Sequence, residues 1–166
     1  MNDRKMDLFC VSEIEITYRN QVPFQNRVKV NSPYTASRLL RQHWDEDKIE
    51  LVEQFKVMMF DHAQHCLGIS TLSSGGITAC PVDIRLLFAT ALKCRATSIL
   101  LAHNHPSGVC KFSYVDEELT HRICEAGRIL DIPVLDHLLL TADSFRSMSE
   151  DDILPLFRPY KRFQPG

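Results

Sequence analysis

The sequence predicts an α/β fold in which helices flank a mixed central β-sheet. Strand patterns alternate along the chain with amphipathic helices of ordinary length, an order that packs helices on the faces of a sheet. Two runs are almost wholly apolar, TSILLAH at 97–103 and VLDHLLLT at 134–141, and such runs are typical of strands covered on both faces. The length of 166 residues predicts one domain over 1–166, with flexible termini at 1–10 and 155–166.

The composition is that of a folded globular chain. Hydrophobic residues make up 45% and charged residues 24% of the sequence, which excludes a disordered chain. No apolar run approaches the roughly 20 residues that cross a bilayer, and the start MNDRKMDLF lacks a secretory signal, so we expect a cytoplasmic protein without a membrane partner. The formal net charge of -2 gives no broad attraction to nucleic acid, and RPYKRF at 158–163 is the candidate basic patch.

The cysteines form neither a disulfide framework nor a cysteine-rich zinc module, because the sequence contains no C-x-x-C pair. We expect most of them to be small hydrophobic core residues. They are Cys10, Cys66, Cys80, Cys94, Cys110 and Cys124.

The first part of the chain predicts one strand and one helix. VSEIEITYR at 11–19 alternates apolar and polar residues, as a half-buried strand does. Ser32 followed by Pro33 predicts a helix start, because serine caps a helix and proline fits its first position. The helix is expected to continue through SRLLRQHW at 37–44.

The middle of the chain predicts a hairpin and a second helix. The β-rich run LVEQFKVMMFD at 51–61 ends in a turn signal, and CLGISTLSSG at 66–75 is its expected partner strand. Between Pro81 and Ala96, apolar residues recur at helical spacing, which predicts a helix with one buried face. Those residues are Ile84, Leu87, Phe88, Ala91 and Leu92.

The last part predicts a strand, a helix and a second strand. The strand at 97–103 is followed by the amphipathic run DEELTHRICEAGRIL at 116–130, which Pro133 ends. The apolar strand at 134–141 contains Asp136-His137. We interpret that pair either as a structural pair or as a partner to a metal-ligating imidazole.

Two histidines at the end of the 97–103 strand are candidate metal ligands. Side chains two apart on a strand point the same way, so His103 and His105 can reach one point in space. Pro106-Ser107-Gly108 turns the chain, and a helix starting near Ser113 returns Asp116 on its first turn. Two imidazoles and a carboxylate suit a catalytic zinc ion. Alternatively, Ser113 and Asp116 have the spacing of a capping box and are then only a helix start.

These residues resemble the motif of the JAMM (MPN+) metalloproteases: H-x-H, seven residues, a serine, two residues, and an aspartate. AHNHPSG at 102–108, EAG at 125–127 and IPVLDHLLLT at 132–141 are also similar to RadC sequences. The resemblance extends from about Val11 to Ser149. It identifies the chain as a short RadC form without the helix-hairpin-helix region that commonly precedes the domain.

The resemblance implies a JAB/MPN architecture, like that of cytidine deaminases, and one Zn²⁺ ion held by His103, His105 and Asp116. It further implies an upstream glutamate that handles the proton of the attacking water. Glu53 matches that position after the first helix, and Glu50 is the competing candidate. Many RadC-like sequences also carry an acidic residue near the position of Thr71. Ser113 would donate a hydrogen bond to the oxyanion.

The implied function is zinc-dependent hydrolysis of peptide or isopeptide bonds in a protein or peptide substrate, with a metal-activated water. One alternative is a nucleic-acid-binding protein associated with DNA repair, and another is a non-catalytic interaction module of the same fold. A zinc deaminase is excluded, because its H-x-E and P-C-x-x-C signatures are absent.

Overall fold

A computed structural model describes residues 22–76 and 80–156 of the chain. The predicted strand at 11–19, Cys10 and the basic stretch at 158–163 lie outside the described residues. The helices are α1 (Pro33–Gln42), α2 (Ile84–Lys93) and α3 (Tyr114–Leu130). The strands are β1 (Gln54–Phe60), β2 (Cys66–Ser74), β3 (Ser98–Asn104), β4 (Val134–Leu140) and β5 (Phe145–Ser147).

The five strands form one mixed sheet in the order β2-β1-β3-β4-β5. Strand β1 pairs antiparallel with β2 and with β3, which confirms the predicted hairpin. Strand β3 runs parallel to β4, and β5 returns antiparallel beside β4. The predicted α/β class with a mixed central sheet is therefore confirmed, and it is consistent with a JAB/MPN architecture.

Each face of the sheet is covered by helices, which explains why the central strands are buried and mostly apolar. On one face, Leu100 and Leu138 pack with Leu40 and Trp44 of the α1 region. On the other face, the neighbouring position Leu101 packs with side chains from α2 and α3. Because alternate residues of a strand point to opposite faces, β3 must be apolar at nearly every position. The last residues of β3 therefore lie where the packing on the two faces of the sheet ends.

The helix boundaries follow their capping residues. Ser32 accepts a hydrogen bond from the Thr35 backbone, as predicted, and the helix ends at Gln42, two residues before the predicted end. Helix α2 begins later than Pro81, at Ile84, because the Asp83 carboxylate caps the Arg85 backbone amide. It also ends earlier, since Arg95 adopts a left-handed conformation with φ of 55°.

The five described cysteines are free and half-buried. Cys80, Cys94 and Cys124 pack against the core on the α2–α3 face, and Cys66 packs on the α1 face. These four therefore act as partly buried hydrophobic residues, as predicted for most of the cysteines. Among the described helices, none has the length and apolar character that a membrane crossing requires.

Gly127 is required where the end of α3 turns back towards β4. A Cβ at this position would overlap the carbonyl oxygen of Ile132. We expect Gly127→Ala to lower the free energy of unfolding by about 2 kcal/mol. A clash with backbone lies at the upper end of the overpacking range of about 1–3 kcal/mol, and the helix preference of alanine offsets only about 1 kcal/mol of it. Urea unfolding measures the change. Gly76→Ala is the matched control, since a Cβ there meets no atom within 4 Å; equal stability of the two variants would contradict the prediction.

Candidate metal centre

The fold brings the two predicted histidines and the predicted aspartate together. His103 lies near the end of β3, His105 follows the strand, and Asp116 lies in the first turn of α3. His103 Nε2 is 3.2 Å from His105 Nε2 and 3.3 Å from Asp116 Oδ1. His105 Nε2 is 3.6 Å from Asp116 Oδ2. These three residues can offer one ligand atom each to a single ion.

The separations fit the donor geometry of a small divalent cation. Ligand bonds of about 2.1 Å in a tetrahedral site space the ligand atoms about 3.4 Å apart. The distances from His103 Nε2, 3.2 Å to His105 Nε2 and 3.3 Å to Asp116 Oδ1, lie close to that value, and one ligand atom from each of the three residues lies within 4.8 Å of the others. The three side chains can therefore hold a metal ion without a large rearrangement.

The electrostatics of the cluster also favour a cation. Burial disfavours the charged form of Asp116, but the neighbouring His103 and His105 rings and the hydrogen bond from Ser113 outweigh burial, and they hold the pKa of Asp116 well below its usual range. The hydrogen bond with Asp116 raises the pKa of His105, against the effect of burial. Asp116 therefore stays ionised at neutral pH, so the site keeps a negative charge among nitrogen donors.

Asp116 also belongs to a complete capping box, which confirms the predicted helix cap and leaves its other carboxylate oxygen directed at His103. Its Oδ2 atom accepts hydrogen bonds of 2.7 Å from the Ser113 backbone amide and from the Ser113 hydroxyl. The Ser113 oxygen accepts in turn from the Asp116 amide at 3.2 Å. Because Oδ2 serves the cap while Oδ1 faces His103, the helix start orients the carboxylate towards the histidines.

The second nitrogen of His103 has a buried partner on the neighbouring strand. His103 Nδ1 lies 2.8 Å from His137 Nε2, and His137 Nδ1 lies 2.6 Å from the Thr120 hydroxyl. Burial lowers the pKa of His137 well below its ordinary value. Asp136 faces the other side of the sheet and accepts from Ser147 and from the Ser149 amide. The Asp136-His137 side chains are therefore not one structural pair.

Glu53 directly precedes β1, and its backbone is fixed at the open end of the hairpin. Its amide donates to Gly76 O, and its carbonyl accepts from the Gly75 amide. Asn104 holds the same segment from β3: its Oδ1 accepts from the Gln54 amide, and its Nδ2 donates to Val52 O. Asn104 therefore anchors the backbone on both sides of Glu53.

A cavity of about 730 Å³ opens onto the cluster. Glu53 lines it together with His105, Ser113 and Asp116. Its other lining residues are Phe55, Cys80, Pro81, Pro106, Ser107, Val115 and Leu119. Glu53 thus shares one cavity with two of the candidate ligands, His105 and Asp116. Its charge contributes to the raised pKa of His105, after the larger effect of Asp116.

The competing acidic positions are elsewhere. Glu50 is exposed and does not line the cavity. Thr71 is an exposed residue of the half-buried strand β2, and its hydroxyl accepts a hydrogen bond of 2.8 Å from the buried Lys56 ammonium. This chain therefore has no acidic residue at the Thr71 position, and of the two candidates Glu53 lines the cavity and Glu50 does not.

Asn104 and Thr120 were missed as site residues in the sequence. Asn104 lies between two histidines in the sequence. Its burial results from the pairing of β1 beside β3, which the sequence does not reveal. Thr120 lies four residues after Asp116, one helical turn away, which was the available signal. Their roles depend on contacts with residues that are distant in the chain.

Comparisons with known proteins agree on one family. The model described as a RadC-like JAB domain matches residues 30–153. A UPF0758 protein of Tolumonas auensis is 40% identical over 135 residues, covering 81% of this chain and 58% of the relative. UPF0758 protein tlr1707 of Thermosynechococcus vestitus is 36% identical over 131 residues, covering 78% and 50%. A UPF0758 protein of Flavobacterium johnsoniae is 39% identical over 101 residues, covering 61% and 44%.

The matches cover most of this chain and about half the length of these curated relatives. The matched region contains every element from α1 to β5, including the cluster of His103, His105 and Asp116. From this match and the similarity to the UPF0758 proteins, the chain belongs to the RadC-like JAB domain family.

Proposed function

We propose that this chain is a zinc-dependent hydrolase of peptide or isopeptide bonds. The observation that carries the proposal is that an acidic side chain, Glu53, shares one cavity with His105 and Asp116, two of the three convergent ligand groups. A metal cluster alone is compatible with a structural ion. A carboxylate beside it, outside the ligand set, supplies the general base that hydrolysis needs.

The donor set favours zinc. Two imidazole nitrogens and one carboxylate are the protein ligands of many hydrolytic zinc sites, which keep a further position for water. Bound there, zinc would supply an acidified water and would polarise the scissile carbonyl. Nickel and iron accept similar ligands, so metal analysis of the purified protein belongs with any activity assay.

Two side chains beside the cluster have separate roles in the reaction. Glu53 takes a proton from the attacking water and delivers it to the leaving amine nitrogen. Ser113 donates a hydrogen bond from its hydroxyl to the oxyanion of the tetrahedral intermediate, in place of its hydrogen bond to Asp116 Oδ2. The Ser113 amide still holds that oxygen at 2.7 Å, so Asp116 keeps its orientation while the hydroxyl turns.

The charge of the cavity favours an amide substrate over a nucleic acid. Its acidic lining residues are Glu53 and Asp116, and no lysine or arginine of the described chain lines it. Within the described residues, the cavity therefore offers no basic side chain to a phosphate backbone. The non-catalytic alternative gives no reason for Glu53 to be fixed beside the ligands. A protein or peptide segment is therefore the proposed substrate.

A metal-dependent cleavage assay tests the proposal. The full chain, stripped by a chelator, is incubated with a mixture of peptides and with a lysine isopeptide conjugate, before and after addition of one equivalent of Zn²⁺. Mass spectrometry should detect amide cleavage that the chelator abolishes and zinc restores. A single-stranded DNA substrate is the control for the nucleic-acid alternative. Zinc-dependent cleavage of DNA, with all amides intact, would contradict the proposal.

A further inference from the structure

We propose that His137 and Thr120 are positioning residues that fix the tautomer of His103, so that His103 Nε2 keeps its lone pair for the metal. The inference rests on the metal site of the proposed function and does not require hydrolysis. Its evidence is a run of three short contacts from Asp116 to His103, through Thr120 and His137.

The Thr120 hydroxyl determines which atom is the donor in each of these hydrogen bonds. The Thr120 oxygen lies 2.6 Å from the Asp116 backbone carbonyl and 2.6 Å from His137 Nδ1. At such distances a proton must lie between each pair of atoms. A carbonyl carries no proton, so the single hydroxyl proton of Thr120 goes to Asp116 O, as is common for a threonine one helical turn later. The proton of the other contact must come from His137 Nδ1.

The position of the proton on His137 in turn determines which ring nitrogen of His103 is the donor. Both its ring nitrogens are engaged, by Thr120 and by His103, and neither contacts a carboxylate in the described chain. The ring is fully buried, where an imidazolium without an acidic partner is costly. His137 is therefore neutral with its proton on Nδ1, and its Nε2 accepts a hydrogen bond. The donor, 2.8 Å away, is His103 Nδ1.

The tautomer of His103 determines whether its Nε2 atom can bind a metal ion. A neutral imidazole carries one proton, so a proton on His103 Nδ1 leaves Nε2 unprotonated. That atom is the one facing His105 and Asp116. The run begins on the backbone of one ligand, Asp116, and ends on the ring of another, so it also fixes their relative placement.

The surroundings leave little freedom for another arrangement. His103 is 1% exposed, and Thr120 and His137 are 0% exposed. The Phe55 ring lies parallel to His103 with centroids 6.3 Å apart, and Phe112 packs against His137 at 5.6 Å. These rings occupy positions from which water would otherwise offer the imidazoles alternative partners.

Thr120→Val is the first test, because valine has the shape of threonine without the hydroxyl. We expect zinc affinity, measured by competition with a chromophoric chelator, to fall about 10–100-fold, as for the loss of other outer partners of metal ligands. Thr120→Ser retains the hydroxyl and should bind zinc close to the wild-type value. A purely structural threonine would lower the melting temperature of Thr120→Val while the folded protein bound zinc normally, and that result would overturn the proposal.

The unsubstituted protein provides the second test, which does not depend on how a variant folds. Long-range ¹H–¹⁵N spectra of the metal-free chain, recorded above the usual histidine pKa of about 6.5, report which ring nitrogens carry protons. We expect protons on Nδ1 of both His103 and His137. A neutral His103 protonated on Nε2 would overturn the proposal. A chain that passes both tests yet cleaves no amide would refute the hydrolase and leave this inference standing.

Discussion

His103→Ala should reduce zinc affinity by more than the roughly 10–100-fold loss expected for an outer partner. The substitution removes one of three candidate ligands and leaves His137 Nε2 without its donor. With only His105 and Asp116 left, the site falls below the three protein ligands of a catalytic zinc centre. Equilibrium dialysis followed by elemental analysis gives the stoichiometry and the affinity.

Two further variants make the result interpretable. His103 is almost fully buried, so its replacement leaves a cavity that destabilises the core. His105→Ala removes a half-exposed ligand with less effect on packing, and it should lose zinc to a similar extent. His62→Ala is the matched control, since His62 is exposed and outside the cluster. Unchanged zinc content in both ligand variants would end the site assignment.

Glu53→Gln should retain zinc and lose about 10²–10⁴-fold in the rate of amide hydrolysis, the contribution usual for a general base. Glutamine has nearly the size of glutamate but cannot accept the proton of the attacking water. The backbone bonds that hold residue 53 to Gly75 and Gly76 do not involve the side chain, so the fold should be unaffected. Single-turnover kinetics on the peptide identified by the cleavage assay, with zinc content measured in parallel, separate the two effects.

Glu50→Gln is the control for Glu53→Gln, since Glu50 is exposed and outside the cavity. It should hydrolyse the peptide at the wild-type rate. If Glu50→Gln lost activity and Glu53→Gln retained it, the general base would be Glu50 and the competing assignment would be correct.

The cluster itself was predictable because its spacing follows local geometry. His103 and His105 are two apart at a strand end, and Asp116 lies on the first turn of the next helix, so strand and helix periodicity place them together. The buried strands were predictable for a related reason, since unbroken apolar runs occur where both faces of a sheet are covered. Ser32-Pro33 similarly marked the start of α1.

The remaining features depend on contacts that local patterns do not encode. Strand β5 has three residues, too few to show an alternating pattern. The partner role of His137 requires the parallel pairing of β3 and β4, and that of Asn104 requires β1 beside β3. The sequence could only present His137 as one of two alternatives, because the orientation of its ring is decided by Thr120 on α3.

X-ray absorption at the zinc edge tests most directly whether His103, His105 and Asp116 bind one ion. With one equivalent of zinc, we predict nitrogen and oxygen neighbours at about 2.0–2.2 Å and the outer-shell scattering of two imidazoles. The half-buried cysteines offer the alternative site. Sulfur neighbours at about 2.3 Å, without imidazole scattering, would contradict the account.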